Sequence, residues 1–475
     1  MSLTPPPDQD IVIFGVSGDL AARKLLPALY NLSAEGLLPR QGDIIGAAPV
    51  AWSDDQLREG ARSAISQFSR TGLDEAAFTA FAARLRFVRP GDEGGLASLR
   101  EALTRPRRLI YLAVPPSAFT SVIDALHAAD LAAGTSVIIE KPFGHDLESA
   151  RALNAALHAV FPEERIFRID HYLGKETVQN IMVLRFGNTV LERVWNRDCV
   201  AHVEITVAES LGVEHRGAFY EETGAIRDIV QNHLFQLLAM VAMDPPVGFD
   251  ALSLRNEKIK VLRAVRPIRP DQVVRGQYTA GEIDGQPVPG YREEPGVSSG
   301  STTETYAALR LRIDSWRWAR VPFTLRTGKR LRQRDSRVVV VFHDVPLHLF
   351  SGTGIESIDH NRLEVRVQPD EGIDLTFVAK RPGPDLETQT VSMDFSYGDS
   401  FKTSPPEAYE RLLHDALCAD HTLFIREDEV ERGWEIVEPI LRSPPAPVFY
   451  PAGSWGPAEA DALAVHGRWH DPSGT

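Results

Sequence analysis

The chain has 475 residues, 43% hydrophobic and 24% charged, with a formal net charge of −14 at pH 7. That length is too great for one ordinary core and predicts two domains of globular composition. The negative charge argues against broad binding to nucleic acid or to anionic membranes, although a local cluster of Lys and Arg can still hold a small anion.

The N-terminal MSLTPPPDQD lacks a basic region followed by an apolar one, so no signal peptide is expected. The longest apolar run, residues 234 to 243, is interrupted by Gln236 and is too short to span a bilayer. The two cysteines, Cys199 and Cys418, fit a reducing compartment and structural thiols. A cytoplasmic protein is expected.

The first element, DIVIFG, reads as a buried strand running into a glycine. GVSGDLAARKLLPALYNL follows, with Gly15-x-x-Gly18-x-x-Ala21 and then a helical pattern through Leu25, Leu26, Leu29 and Leu32. Strand, tight turn and helix together suit a dinucleotide. Gly15 lets the chain turn, Gly18 lets backbone N–H groups approach a pyrophosphate, and the helix N-terminus favours its charge. Ser17, Asp19 and Leu20 lie in the same turn. Two more buried strands, in RRLIYLAVPP and GTSVIIEKPFG, end in proline-containing loops. Ligands of open α/β sheets bind at the carboxyl ends of strands, which makes Pro115, Pro116, Glu140, Lys141 and Pro142 candidates to face nicotinamide and substrate. Lys141 after an apolar run is either a solvated strand end or a catalytic cation.

RIDHYLGKE comes next, with His171, Tyr172 and Lys175 offering imidazole, phenol and ammonium donors in one short turn. A phosphate dianion wants several such charge-assisted hydrogen bonds. The bland reading is a helix N-terminus with ordinary polar residues. No HExxH, CxxC or paired-His spacing points to a metal. Further on, GAIRDIVQNHLFQLLAMVAM reads as one helix, with an apolar face through Ile226, Ile229, Val230, Leu234, Leu237, Leu238 and Val241. His233 points toward that face, and Asp228 and Asn232 form a polar stripe beside it. A histidine there is either a satisfied core residue or a base, and a carboxylate such as Asp170 would favour the base by fixing its tautomer. The segment from residue 279 to 301, rich in Gly, Pro, Ser and Glu, reads as a surface excursion.

GVSGDLAARKLLPALYNL, EKPFG, RIDHYLGKE and RDIVQNH together resemble the glucose-6-phosphate dehydrogenase family. KVLRAVRPI, VVRGQY, VPFTLRTGKRL, LEVRVQP and EAYERLLHDAL continue the likeness in the family's order. The resemblance implies an α/β plus α+β fold. A Rossmann-like dinucleotide-binding domain would cover residues 1–170. A substrate-binding and dimerisation domain built on a large, mostly antiparallel sheet would cover 171–475. It also implies oxidation of glucose 6-phosphate at C1 to the phosphogluconolactone, with hydride passing to NADP or NAD, the first step of the oxidative pentose phosphate pathway. A homodimer or homotetramer is implied, with no nucleic-acid or membrane partner.

Carried over by motif, His233 would be the general base and Asp170 its orienting partner. His171, Tyr172 and Lys175 would bind the phosphate. Glu209, Asp228, Lys329, Arg334, Lys141 and Lys24 would complete the substrate set. Gly15, Ser17, Gly18, Asp19, Leu20, Pro115 and Lys141 would hold the cofactor. No metal is implied. One departure concerns the cofactor. The family usually reads G-x-A-R-S after the second strand, with the arginine on the 2′-phosphate of NADP. Here Gly46-Ala47-Ala48-Pro49-Val50 puts proline at the arginine position. Proline offers neither charge nor N–H. Either selectivity for NADP is weakened, or Arg23 or another cation replaces the clamp. Two rivals are an oxidoreductase of the glucose–fructose type, whose chains usually lack RIDHYLGKE, and a silent paralogue, which would have lost His233, Asp170 or Lys175.

Overall fold

The computed structural model describes residues 4–91, 96–350, 353, 355, 357–401 and 406–472. The chain divides into two compact units. The first comprises Met1–Glu176, Pro246–Asn256 and Ser404–Glu431; the second comprises Thr177–Pro245, Glu257–Thr403 and Arg432–Thr475. The division is therefore not a single cut after residue 170. Two later segments join the first unit.

The first unit is built on six parallel strands: β1 (Asp10–Phe14), β2 (Ile44–Ala47), β3 (Leu85–Val88), β4 (Arg108–Leu112), β5 (Thr135–Glu140) and β6 (Ile166–Ile169). Their order is β3-β2-β1-β4-β5-β6, the doubly wound arrangement. β1 is buried along its whole length, as a central parallel strand must be when helices cover both faces. Even Asp10 is inside. Its carboxylate accepts from the backbone N–H groups of Asp43, Thr104 and Arg105 at 2.9, 2.6 and 2.7 Å, so the buried charge is paid in hydrogen bonds. The helix Ala408–Leu417 packs beside Leu26–Ala34. Its buried Glu410 accepts from Asn31 and from the Nε and Nη2 groups of Arg70. These long-range polar contacts attach the segment after residue 404 to the first unit.

The second unit contains a nine-stranded sheet, β16-β15-β14-β13-β7-β12-β11-β8-β17. The strands are β7 (Val200–Ala208), β8 (Val273–Thr279), β11 (Tyr306–Arg312), β12 (Pro322–Gly328), β13 (Asp335–Phe342), β14 (Arg362–Gln368), β15 (Gly372–Lys380), β16 (Thr388–Ser396) and β17 (Val448–Pro451). A small hairpin of β9 (Gly281–Ile283) and β10 (Gln286–Val288) stands apart. Pairing in the large sheet is antiparallel except at β7–β12 and β8–β17. β13 is buried almost throughout, whereas β14 alternates, the period-2 signature of a strand with one covered face. The expected Rossmann-like domain and large, mostly antiparallel sheet are both present.

Two expectations need correction. Residues 279–301 are not merely a surface excursion: Tyr291 and Glu294 are buried, and the Tyr278 hydroxyl donates to Glu294 at 2.9 Å. The predicted amphipathic helix is present but not uniform. It starts at Gly224, whose φ 65°, ψ 173° separate it from the preceding helical turns, and Ile226–Leu234 winds more widely than an α-helix before Phe235–Ala242 resumes α geometry. No polar stripe runs along this segment, because Gln231, Asn232 and Gln236 are as buried as the apolar residues. No helix of the described residues is long and apolar enough to cross a membrane.

Candidate active site

The candidate residues fall into groups on the two units. In the first unit, β1 delivers Gly15 to the switch point between β1 and β4. Gly15 has φ 82°, and a Cβ there would lie 2.2 Å from the Ala113 carbonyl oxygen. Any side chain would therefore clash with the end of β4 as well as strain the backbone. The Gly18 N–H donates to the Gly15 carbonyl at 2.9 Å and closes the turn. The helical winding that follows opens wide, with the Leu26 N–H reaching back to the Ala21 carbonyl. Ser17 and Asp19 are exposed and Leu20 half-buried on this turn; Pro115 is exposed beyond β4. A glycine cradle at the carboxyl edge, leading into a helix, fits a dinucleotide pyrophosphate. Gly15, Ser17, Gly18, Asp19, Leu20 and Pro115 are the residues that would hold it. Pro49 is exposed just past β2. Arg23 is 57% exposed, 3.8 Å from Asp19, with its guanidinium over the Phe68 ring.

β5 and β6 are neighbours in register, with Glu140 opposite Ile169. Their carboxyl ends therefore bring Lys141 and Asp170 to the same edge of the sheet. The Lys141–Pro142 bond is cis. Glu140 is half-buried and accepts from the Tyr111 and Tyr409 hydroxyls at 2.5 and 3.0 Å. Burial raises its pKa despite those bonds and the nearby Lys141. Past β6 the chain turns tightly, with the Leu173 N–H on the Asp170 carbonyl and the Lys175 N–H on the Tyr172 carbonyl, both at 3.1 Å. Asp170 is 1% exposed and accepts from the Tyr172 N–H at 2.9 Å. His171 lies parallel to Tyr409, and the Lys175 ammonium sits 4.2 Å from the Tyr172 ring centroid. Asp170, His171, Tyr172 and Lys175 thus occupy one turn at the end of the parallel sheet. Lys24 is bonded to Glu407 at 2.8 Å.

In the second unit, Gly224 and Glu304 set up the wide helix. The Glu304 carbonyl accepts from the Ala225 N–H at 3.0 Å, and its carboxylate accepts from the Ile226 N–H at 3.1 Å. The same carboxylate holds Arg275 through two bonds, at 2.6 and 3.1 Å. A carboxylate at a helix N-terminus satisfies an orphan donor and meets the favourable end of the helix dipole. This helix carries Asp228, half-buried, and His233, 1% exposed. Wide turns of this kind recur at functional sites.

Glu209, just past β7, accepts from Lys329, just past β12, at 2.5 Å. Lys329 also lies 5.2 Å from the Tyr220 ring centroid. The Tyr220 hydroxyl is pushed well above its ordinary pKa by burial and by the negative fields of Asp228 and Glu209. Lys329 thus links Glu209 to the face of a buried phenol that also feels the charge of Asp228. Arg334, past β12, is exposed and donates to Gln368 at 2.8 Å. Tyr220, Glu304 and Tyr409 were not legible as site residues, since only folding brings them there. The sole local hint was Gly224 before the helix.

The chain matches the family described as "Glucose-6-phosphate dehydrogenase, NAD binding domain" over residues 12–180 and "Glucose-6-phosphate dehydrogenase, C-terminal domain" over residues 182–470. It is 46% identical to glucose-6-phosphate 1-dehydrogenase 2 of Mycobacterium tuberculosis, across 97% of this chain and 94% of the relative. It is 41% identical to glucose-6-phosphate 1-dehydrogenase of Bacillus subtilis, across 99% of both. Among solved structures, that of glucose-6-phosphate 1-dehydrogenase from Mycobacterium avium superposes with a TM-score of 0.87 at 42% identity, covering 98% of this chain and 99% of the other. A glucose-6-phosphate dehydrogenase in complex with its substrate glucose-6-phosphate gives 0.89 at 38% identity, covering 99% and 100%. A mutant Gal80p from Saccharomyces cerevisiae, at 10% identity and a TM-score of 0.52, shares the fold alone. The two family matches together span almost the whole sequence, and on that ground the chain belongs to the glucose-6-phosphate dehydrogenase family.

Proposed function

We propose that this protein oxidises the C1 hydroxyl of D-glucose 6-phosphate to 6-phospho-D-glucono-1,5-lactone, using NADP or NAD, as the first step of the oxidative pentose phosphate pathway. The observation that carries this reading is the turn from Asp170 to Lys175. It combines a buried carboxylate with imidazole, phenol and ammonium groups at the carboxyl end of a parallel sheet. The relatives named for this reaction add support over nearly their full length.

Losing hydride from C1 is easier as the hydroxyl proton leaves, so the reaction needs a base that titrates near neutrality. His233 takes that proton, and Asp170 holds the imidazole tautomer and stabilises the cation that forms. His171, Tyr172 and Lys175 bind the 6-phosphate through charge-assisted hydrogen bonds. Glu209, Asp228 and Lys329 hold sugar hydroxyls, with Arg334 and Lys24 as further basic contacts. Lys141 reaches both substrate and cofactor. Held by Gly15, Ser17, Gly18, Asp19, Leu20, Pro115 and Lys141, a nicotinamide dinucleotide would supply the hydride acceptor. The protein acts as a homodimer or homotetramer in the cytoplasm.

Selectivity for NADP is relaxed in this reading, and NAD serves as well or better. Pro49 is the reason, because it supplies neither charge nor N–H to a 2′-phosphate. Initial rates with saturating glucose 6-phosphate, followed at 340 nm over a series of NAD and NADP concentrations, test both statements. Turnover favouring NAD supports the lost clamp. Turnover favouring NADP keeps the enzyme and assigns the clamp to another cation, with Arg23 the first to replace. Absence of turnover with either refutes the function.

A further inference from the structure

A cluster in the second unit has no part in the proposed chemistry. His202 and Glu204 are two apart on β7, so their side chains share one face of the central sheet. Both are 1% exposed. The C-terminal segment lays His470 against them. Its backbone N–H donates to one Glu204 carboxylate oxygen at 2.9 Å, and its Nδ1 lies 3.0 Å from the other. His202 Nε2 lies 3.4 Å from that second oxygen. One ligand atom from each of the three side chains falls within 4.8 Å of the others. Neither ring nitrogen of His202 finds a hydrogen-bond partner among the described residues, although both are buried. Buried polar atoms seldom stay unpartnered, and an unprotonated Nε2 facing a carboxylate would have nothing to accept from it.

A cation answers both points. Nitrogen and oxygen ligands about 2.0–2.2 Å from a tetrahedral ion stand roughly 3.3–3.5 Å from each other. The 3.0 and 3.4 Å separations are close to that spacing. Two imidazoles and one carboxylate suit a borderline transition ion. Ca²⁺ and Mg²⁺ prefer oxygen ligands. The His466 ring, 6.3 Å from that of His202 and at the exposed rim, or a water leaves a fourth position open.

We propose that His202, Glu204 and His470 form a binding site for a divalent transition ion, Zn²⁺ being the best fit, that ties the C-terminal segment to β7. Neighbouring anchors already hold this segment there: Trp469 is buried, and Asp471 pairs with Arg326. The ion would cross-link the same junction, and mass action would make thermal stability rise with its concentration.

The test uses the full-length protein, stripped with a chelator and titrated calorimetrically with Zn²⁺ alone, with Co²⁺ as a visible-absorption probe. The expected result is one ion per chain, a melting temperature that rises with Zn²⁺, and Co²⁺ bands typical of a nitrogen–oxygen site. His470→Ala, near the chain end and only half-buried, should weaken binding by more than about 100-fold. His158→Ala should leave it intact; it removes the separate His158, Glu163 and Glu427 cluster. Absence of stoichiometric binding would show that the trio is a hydrogen-bonded network only. Wild-type binding by His470→Ala, or its loss in His158→Ala, would equally overturn the site. None of these readouts depends on dehydrogenase activity.

Discussion

Replacing Gly224 by alanine tests whether its backbone and Glu304 together hold the helix that carries Asp228 and His233. The native dihedrals, φ 65° and ψ 173°, lie in a region open essentially to glycine, and forcing a side chain there costs about 1–3 kcal/mol. The new Cβ would stand 2.5 Å from a Glu304 carboxylate oxygen, so the carboxylate must also move. It then leaves the buried Ile226 N–H, a loss of about 1–3 kcal/mol, and loosens its two bonds to Arg275. The sum is about 2–6 kcal/mol, partly relieved by backbone relaxation. Tryptophan fluorescence in a urea titration reads this directly. Trp195 and Trp318 are buried and donate to the carbonyls of Val241 and Ala242, at the far end of the same helical segment. The midpoint should fall and kcat with it, while binding of the dinucleotide by the first unit should hold. A Gly224→Ala protein with the wild-type midpoint and turnover would refute this account of the helix.

His233→Asn should lower turnover by roughly 10²–10⁴-fold with little change in glucose 6-phosphate affinity; affinity lost in parallel with rate would sink the role of base. Lys175→Ala should chiefly raise the half-saturating concentration of glucose 6-phosphate. One charged hydrogen bond is worth about 1.5–3 kcal/mol, or roughly 10- to 150-fold, and an unchanged value would refute phosphate contact. Asp374→Asn probes pH. Burial, then the facing Asp394, lift the Asp374 carboxyl from 3.8 to about 6 against the pull of Arg366. A raised carboxyl means the folded state holds the proton more tightly, so this stabilisation is complete below pH 3.8 and lost as pH rises through about 6. The variant should melt higher than wild type at pH 8, by no more than about 1 kcal/mol because solvent still reaches the half-buried group and its Arg366 partner and screens them, and the gain should vanish near pH 4. An equal gain at both pH values would refute the linkage.

Strand β1, the turn at Gly15 and the strands ending at Pro115 and Lys141 were legible from local pattern alone. Each depends on residues adjacent in the chain: an apolar run, a glycine where the backbone must reverse, a proline where it cannot continue. RIDHYLGKE was legible for the same reason, since its four chemical groups share one turn. The winding of Ile226–Leu234 was not. Apolar spacing suits a helix of either pitch, and the choice goes with Glu304, 78 positions from the Ile226 N–H it accepts from. The polar stripe failed similarly, because a segment buried on every side hides its amides as well as its leucines. Lys24 meets Glu407 across 383 positions, and Tyr409 reaches Glu140 across 269. Sequence by itself determined the local chemistry of the nucleotide turn, the Asp170–Lys175 turn and the family. Tertiary structure decided which distant carboxylates and phenols surround the candidate groups, because those contacts are set by the packing of elements far apart in the chain.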